Sequence, residues 1–448
     1  MTNKKALDIV RKNCFPRPLR TKEELDELFT ETGIARDEQT DFRDILLDIL
    51  KDESSKTILV HGHRGCGKST EINKLVAGFD PRWLVIRVQS MELLPVAGNE
   101  AADVLLAASI SLINTAKHEG LSLGDAYLKG VFDYFAETTR TETTDRAANN
   151  EIGGGFDAAG GLLGQLIGIK ARLESSLKFG SRSEESTIVH IHRSKGQLAA
   201  AFRALCLAME EAWKEKNGDD PHARVILIVE ELDKLGLADA HQIFVREPQL
   251  LGAVPIRTIF TIPVFTFHSP DARSILSNFD HDLALPMIKT RERDGTSCEK
   301  GKQVLRTLIR KRACAGVLPD DAMECLIERT GGVLRDVFQA TQIALTFRDV
   351  KSSGVIGSTE INLALERMVT DIGLQISYPL DEGKSPEPLQ RKLADIARKQ
   401  DSGIAQRAQP DKDLQILLMS GALIEHNGIG WLGVHPLARD CLKSLELL

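Results

Sequence analysis

The sequence predicts an α/β protein: a parallel sheet flanked by helices, then an all-helical unit and a small C-terminal unit. Short apolar runs such as Arg224–Val229 are typical of strands buried on both faces of a parallel sheet. Amphipathic helical patterns separate these runs, as crossover connections between parallel strands require. Beyond residue 300, helical patterns follow one another without a good strand until the C-terminal unit.

Residues 1–55 are predicted to form a helical N-terminal segment. Lys22–Phe29 and Glu38–Lys51 carry apolar residues three and four positions apart among charged ones, which is the pattern of amphipathic helices. We expect this segment to pack on the edge of the domain that follows, residues 56–298.

The first part of that domain has the pattern of a βαβ unit. Thr57–His61 predicts the first strand, a glycine-containing loop follows, Ser69–Ala77 has helical spacing, and Trp83–Val88 predicts the second strand. Strand, loop, helix and strand in this order form two parallel strands joined by a crossover helix.

The second part of the domain is interrupted by a glycine-rich insertion around 139–185, either a loop ordered by a partner or a disordered segment. Its run Ile152–Lys170 is too rich in glycine for a stable isolated helix. Around the insertion the sequence predicts helices at Asn99–Thr138, Ser194–Lys216 and Ala238–Leu251, and strands at Arg224–Val229, Ile256–Thr261 and Leu283–Ile288.

Two further units are predicted. Residues 299–378 should form a helical lid, with helices at Lys302–Ala313, Asp320–Arg329, Val333–Phe347 and Thr359–Ile372. Pro379–Pro388 has the composition of a linker. Residues 385–448 resemble a winged-helix domain, with helices at Leu389–Lys399 and Leu414–Ser420 and a hairpin at Ala422–His435.

Composition limits the function classes. The net charge is -7, so no global positive field attracts the protein to nucleic acid or anionic lipid. The seven cysteines are scattered and form no CxxC pair, which favours a reducing, cytoplasmic environment. The N-terminus lacks a long apolar segment, and we expect neither a signal peptide nor a membrane anchor.

The strongest motif is the loop between the first strand and its helix, which fits GxxxxGK[ST] in the strand–loop–helix context that this motif requires. Glycines allow backbone N–H groups to surround phosphates, Lys68 reaches the β- and γ-phosphates, and the Ser69 hydroxyl binds Mg²⁺. The sequence therefore predicts a P-loop NTPase fold that binds ATP with Mg²⁺. The expected nucleotide-binding residues are Gly62, Arg64, Gly65, Cys66, Gly67, Lys68, Ser69 and Thr70.

A P-loop also needs carboxylates, and the predicted strand Arg224–Val229 ends directly before Glu230 and Glu231. Paired carboxylates at the end of a buried strand are costly unless a cation or water lies in front of them. We assign Glu230 to Mg²⁺ and Glu231 to activation of the attacking water. The protein is therefore expected to be an ATPase that cleaves the β–γ phosphoanhydride.

The glycine loop and the sequence Val229-Glu230-Glu231-Leu232-Asp233-Lys234 resemble the AAA+ and STAND branch of P-loop ATPases, including initiator-like members, over residues 35–375. Those families generally carry Asp where Glu230 stands. The longer side chain is expected to shift the metal or slow hydrolysis, and slow turnover would suit a molecular switch.

The resemblance implies three further functional residues: a threonine, an arginine of the lid and an arginine finger. Thr261, at the end of a predicted strand, matches the polar residue that senses the γ-phosphate. Arg335, in Thr330-Gly-Gly-Val-Leu-Arg335-Asp336, matches the sensor-2 arginine that closes the lid over phosphates. An arginine finger from a neighbouring subunit is also implied, and Arg246, Arg291 and Arg293 are equal candidates for it.

The winged-helix unit is expected to contact protein or to be autoinhibitory. The segment Asp411–Ser420, where a DNA-reading helix would lie, is acidic and apolar and is poor material for phosphate contacts. DNA binding through Arg391, Lys392, Arg398 and Lys399 remains an alternative.

Taken with the resemblance, these features predict a cytoplasmic, oligomeric AAA+/STAND-type switch that regulates a protein effector, in a prokaryotic signalling or defence system, without a membrane partner. The first alternative is an ATP-regulated DNA-binding initiator. The second is a scaffold that binds ATP and hardly hydrolyses it.

Overall fold

A computed structural model describes residues 3–36, 41–52, 54, 56–90, 94, 99–123, 195–292, 295–313, 316–348, 355–377, 385–403, 410–425 and 431–448. The predicted glycine-rich insertion at 139–185, with its run Ile152–Lys170, lies outside these residues, and so does Arg293. Most of the predicted linker Pro379–Pro388 lies outside them as well.

The centre of the fold is a sheet of five parallel strands: β1 (Thr57–Gly62), β2 (Trp83–Gln89), β3 (Arg224–Glu230), β4 (Arg257–Pro263) and β5 (His281–Ala284). Their spatial order is β2-β3-β4-β1-β5. The predicted P-loop NTPase fold, a parallel sheet flanked by helices, is confirmed. Because all strands run in one direction, the carboxyl ends of β1, β3 and β4 lie at the same edge of the sheet.

Both faces of the sheet are covered by apolar side chains, as the uninterrupted apolar runs predict. On one face, Ile58 and Val60 pack with Phe42, Leu46 and Ile72. On the other face, alternate residues of the strands pack against two long helices. Those helices are α5 (Ala101–His118) and α6 (Lys195–Lys216).

Three predicted elements of the sheet domain differ from the structure. The predicted helix Asn99–Thr138 ends at His118 in α5, and its part beyond residue 123 lies outside the described residues. The predicted helix Ala238–Leu251 is divided into α7 (Leu237–His241), a π-helical turn (Gln242–Arg246) and α8 (Pro248–Gly252), because Pro248 has no N–H and cannot continue a helix. The predicted strand Leu283–Ile288 is wrong in position, since β5 ends at Ala284. Pro286 likewise has no N–H for continued pairing.

The N-terminal segment forms α1 (Asn3–Asn13), α2 (Lys22–Leu28), a 3-10 turn (Gly33–Ala35) and α3 (Phe42–Lys51), and α4 (Lys68–Val76) follows the glycine loop. Thr21 and Glu24 make a reciprocal capping box at the start of α2, which satisfies two free backbone donors. Val10 and Cys14 share a core with the lid residues Leu305 and Leu308. The segment thus connects the sheet domain to the lid.

A short helix α9 (Ala272–Leu276) precedes β5. The predicted lid follows β5 and contains α10 (Glu299–Arg312), α11 (Asp320–Thr330), α12 (Leu334–Arg348) and α13 (Ser358–Ser377). The four predicted helices are present, with ends that differ by a few residues. Among the described residues, no helix is both long and apolar enough to cross a membrane.

The C-terminal unit consists of α14 (Glu387–Asp401), α15 (Lys412–Met419), β6 (Leu423–Glu425), β7 (Leu432–Val434) and α16 (Pro436–Ser444). β6 and β7 pair in antiparallel fashion, as expected for the hairpin. The final helix α16 was not predicted, and it packs against the lid. The assignment of this unit as a winged helix stays a prediction.

Candidate nucleotide-binding site

The glycine loop joins the end of β1 to the start of α4 through three glycines with positive φ: Gly62 at 150°, Gly65 at 91° and Gly67 at 109°. A Cβ on Gly62 would lie 2.5 Å from the Leu285 carbonyl oxygen. A Cβ on Gly65 would lie 2.8 Å from the Cβ of Arg335. Side chains are excluded at these positions both by backbone conformation and by space. The loop can therefore turn its N–H groups inward at the N-terminus of α4.

Lys68 is buried at 4% exposure. Its Nζ donates to the carbonyl oxygens of Gly62 at 2.8 Å and His63 at 3.2 Å, and it forms an ion pair with Asp233 at 2.9 Å. Burial alone would lower the pKa of Lys68, but the Asp233 carboxylate outweighs burial and raises it. The pKa of Asp233 is lowered for the reciprocal reason, because Lys68 outweighs the effect of burial. Both groups are charged at neutral pH.

A cavity of about 280 Å³ lies beside this pair. The glycine loop, the end of β3, the N-terminal segment and the lid all contribute to its wall. Its basic lining residues are Arg17, Arg20, Arg36, Lys68, Lys234, Arg312 and Arg335, and its acidic ones are Glu71, Glu231 and Asp233. This excess of positive charge suits a polyanionic ligand such as a nucleoside triphosphate.

The structure brings several predicted residues together around this cavity. Gly65, Gly67, Lys68, Ser69, Thr70, Glu231 and Arg335 all line it. Gly62 and Cys66, which belong to the loop, are buried, and the Arg64 side chain is exposed to solvent. Arg64, Gly62 and Cys66 are not among the lining residues.

The predicted metal residues lie around a neighbouring smaller cavity of about 210 Å³, which Ser69, Glu230 and Glu231 line together. Glu230 already has a cationic partner, since Arg87 Nη1 donates to its carboxylate at 2.7 Å. Oxygen ligands of this kind suit Mg²⁺, which takes one or two protein groups in addition to phosphate and water. The hydroxyl of Ser69 and the carboxylate of Glu230 fit that requirement.

Glu231 has a left-handed backbone with φ 71°, which is costly for a residue other than glycine. The side chain lines both cavities and pairs with Lys234. Unusual backbone conformations of this kind are concentrated at functional sites. The strained position places the carboxylate between the predicted phosphate and metal regions.

Thr261 is less well placed than the other predicted residues. It lies within β4, opposite Val60, and its hydroxyl donates to the Val229 carbonyl at 3.4 Å. The residue is 1% exposed, and it lines neither cavity. Its role as a γ-phosphate sensor stays a prediction.

Arg335 is in the first turn of α12 and directly faces the glycine loop, as the Gly65 contact shows. Its guanidinium makes no hydrogen bond or ion pair with the described residues. Burial, followed by the charge of Arg64, lowers the pKa of Arg335 from its usual value. A partly buried cation next to a phosphate loop is suited to bind phosphate oxygens.

Sequence reasoning missed the residues that the N-terminal segment contributes. Arg36 is 2% exposed; it donates to the Cys66 carbonyl at 2.9 Å and to Thr32 at 2.9 Å. It also bonds to the Pro286 carbonyl. Arg36 therefore connects the glycine loop to the segment after β5 and stabilises the position of the loop. Asp233 is another site residue that was not predicted. Of these residues it alone has a visible signal in the sequence, because it follows the assigned carboxylates in the Glu-Glu-Leu-Asp-Lys run.

The C-terminal unit also reaches the loop. The ring nitrogens of His63 lie 3.1 Å from the Arg64 carbonyl oxygen and 3.0 Å from that of Leu423 in β6. His435 accepts a bond from the Leu437 N–H at Nδ1, so a neutral ring donates from Nε2 to Asp336 at 3.0 Å. The C-terminal unit thus contacts the glycine loop and the helix turn that carries Arg335.

No protein-family model matches the sequence, and no curated protein matches it. Several solved structures are similar, among them the following three. The Walker-type ATPase PABY2304 of Pyrococcus abyssi has a TM-score of 0.45 at 13% identity, over 95% of this chain and 98% of that one. The Aeropyrum pernix Orc1 protein in complex with DNA has a TM-score of 0.39 at 11% identity, over 95% and 97%. Drosophila ORC bound to DNA has a TM-score of 0.37 at 10% identity, over 99% and 92%. Similarities this low do not transfer a function.

Proposed function

We propose that this protein is an Mg²⁺-dependent ATPase of AAA+/STAND type that uses its nucleotide state as a switch. The observation that supports this best is the position of Lys68. It lies inside a glycine loop with three left-handed glycines, pairs with Asp233, and lines a basic cavity. This arrangement is suited to a triphosphate, whose oxygens can take over the contacts of the lysine.

The other residues of the site have separate roles in metal binding, water activation and phosphate binding. Ser69 and Glu230 would hold Mg²⁺, which neutralises phosphate charge when bound. Glu231 orients and polarises the attacking water, and Arg335 donates to phosphate oxygens across the cavity. Because Glu230 pairs with Arg87 at 2.7 Å, a metal has to compete with a guanidinium for this carboxylate. That competition is consistent with slow turnover.

The test is phosphate release and nucleotide binding by the wild type, Lys68→Ala and Glu231→Gln. We expect Lys68→Ala to abolish ATP binding, and Glu231→Gln to bind ATP while phosphate release falls by at least about 100-fold, the usual range for a lost general base. Glu215→Gln, on the exposed face of α6, is the matched control and should leave both unchanged. Undiminished release by Glu231→Gln would remove Glu231 from this role.

The proposed output is nucleotide-controlled self-assembly that regulates a protein effector in the cytoplasm, as in prokaryotic signalling or defence ATPases. The contacts of His63 with β6 and of His435 with Asp336 support it, because they give the C-terminal unit access to the phosphate region. Mass by light scattering, with Mg²⁺-ATP, with ADP and without nucleotide, tests assembly. A mass that is the same in all three states, also for Glu231→Gln, contradicts the switch.

ATP-regulated DNA binding by the C-terminal unit is the alternative. Three of its four candidate basic residues pair with carboxylates: Arg391 with Glu387, Lys392 with Asp411 and Arg398 with Asp395. Exposed pairs of this kind are weak, but they reduce the positive potential that DNA requires. A gel shift that weakens with salt and with Arg398→Gln would favour this alternative over the protein-contact proposal.

A further inference from the structure

Arg312, in the last turn of α10, is, within the described part of the chain, the one arginine of the proposed nucleotide cavity with a fully buried donor atom that has no partner. It is 6% exposed, and its Nε is buried without a hydrogen-bond partner among the described residues. Burial lowers the pKa of Arg312 to about 10. Leaving a buried charged donor without an acceptor is costly. A ligand that supplies an acceptor at this point would remove that cost.

The surroundings of Arg312 differ from those of Lys68. Its guanidinium carbon lies 4.2 Å from the centroid of the Phe338 ring, and Leu308 is one turn earlier on the same helix. Leu308, Phe338, Phe29, Pro16 and Pro18 line the same cavity. Flat rings pack well against aromatic and aliphatic walls.

The positions of Arg335 and Phe338 on α12 indicate which part of the cavity would hold the phosphates and which part would hold the nucleoside. Both are on α12, three residues apart, and hence on one face of that helix. Arg335 faces Gly65 of the phosphate loop, whereas Phe338 lies roughly one turn, about 5 Å, further along. With phosphates at Lys68 and Arg335, Arg312 is at the level of the nucleoside.

We propose that Arg312 recognises the purine base by donating to one of its ring nitrogens. This inference rests on the proposed ATP-binding function and specifies how the same site would recognise the base of the nucleotide. A guanidinium has donors only, so it can donate to a ring nitrogen but cannot bind an exocyclic amino group pointed at it. Apolar residues of the cavity wall would pack against the flat faces of the base, and Arg312, whose guanidinium lies over the Phe338 ring, would read its edge.

The test compares the dissociation constants of ATP and its 1-deaza, 3-deaza and 7-deaza analogues for the wild type and Arg312→Met. Arg312→Met should weaken ATP binding by about 5- to 150-fold, the factor that corresponds to roughly 1–3 kcal/mol for base recognition by a side chain. In the wild type, one deaza analogue should show a comparable loss, and Arg312→Met should not distinguish that analogue from ATP. In Arg312→Met, the affinity for ADP should fall by the same factor as the affinity for ATP, because the base is remote from the γ-phosphate.

Arg310→Met is the matched control, since Arg310 is on the same helix, is exposed and pairs with Asp320. It should bind all four nucleotides like the wild type. The inference is overturned if the wild type binds every deaza analogue as tightly as ATP, or if the loss for an analogue persists unchanged in Arg312→Met. If the wild type binds no nucleotide, the proposed function fails as well, and this result is distinct from the other two.

Discussion

At the scale of single residues, the ion pair between Lys68 and Asp233 is central to the site. The two groups are 2.9 Å apart, with side-chain exposures of 4% and 16%. Removing one partner of such a pair leaves an uncompensated buried charge, and this costs more than the pair contributes. The pair therefore holds the loop in place, and under the proposed function phosphate would replace Asp233 as the partner of Lys68.

This predicts the behaviour of Asp233→Asn. Without nucleotide, the variant should lose about 3 kcal/mol of unfolding free energy, as expected for a broken buried pair, and saturating ATP should recover much of the loss. Thermal unfolding with and without ATP measures both. Asp239→Asn, which affects a carboxylate on α7 bonded to Asn99, is the control, and an equal loss with and without ATP would contradict the prediction.

The pair also predicts a pH dependence. The lowered pKa of Asp233 makes its contribution complete above the unfolded aspartate pKa of about 3.9, and acid removes it as the pH falls through the folded pKa. The raised pKa of Lys68 extends the stabilisation beyond about pH 10 before base removes it. The stability difference between wild type and Asp233→Asn should therefore be constant from about pH 5 to 9 and vanish in acid. Urea unfolding at a series of pH values measures it, and a difference that grows in acid would argue against the pair.

Arg87 is predicted to limit metal binding. Its contact with Glu230 is partly exposed, at 30% for the arginine, so the pair is worth no more than about 1 kcal/mol. Arg87→Gln should lower the Mg²⁺ concentration for half-maximal ATPase activity by about 2- to 5-fold. Arg82→Gln should not change it, because Arg82 and its partners Asp80 and Asp220 line neither of the two cavities. A higher Mg²⁺ requirement in Arg87→Gln would show that the arginine positions Glu230 for the metal.

At the scale of elements, the turn that precedes α12 is held from two sides. A Cβ on Gly331 would lie 2.9 Å from Pro436 of the C-terminal unit, and one on Gly332 would lie 2.4 Å from the Ile288 carbonyl oxygen. Both glycines have positive φ. The first turn of α12, with Arg335, is therefore positioned jointly by the sheet domain and the C-terminal unit.

His435→Phe tests this coupling, because it removes the bond to Asp336 and the acceptor for the Leu437 N–H. We expect a loss of about 1–3 kcal/mol in stability and faster proteolysis of the C-terminal unit. Arg439→Gln is the control, since its partners Asp401 and Gln400 belong to the same unit. If proteolysis is equal in both variants, His435 does not attach the unit to the lid.

The elements that the sequence predicted well are those with a local signal. The apolar run Arg224–Val229 became β3 with one added residue, and the glycine loop formed as its pattern requires. Apolar periodicity alone misplaces the helix around Pro248 and the strand around Pro286, because it takes no account of the N–H donor that each proline lacks. Arg36 and Arg312 could not be found, since their roles depend on contacts across roughly 250 residues or on a cavity formed by three units.

At the scale of the whole molecule, the proposed nucleotide cavity lies where several parts of the chain meet. Residues 16–36, the glycine loop, the end of β3 and two lid helices share one cavity, and the C-terminal unit contacts two of these elements. A ligand that bridges separate parts of a chain stabilises all of them by the same binding free energy, about 2.7 kcal/mol at a hundredfold excess over Kd. The parts should therefore respond to nucleotide together.

Hydrogen exchange with and without Mg²⁺-ATP is the measurement for this last prediction. We expect slower exchange in four separate segments: residues 16–36, the glycine loop, α10 and α12. The segment at β6 should change in step with them, because its Leu423 carbonyl bonds to His63, whereas α5 has no residue in the cavity wall and serves as the internal control. In Lys68→Ala none of these changes should occur. Protection confined to the glycine loop would mean that the N-terminal segment and the lid do not close on the ligand, and a change in all segments except β6 would separate the C-terminal unit from the nucleotide switch.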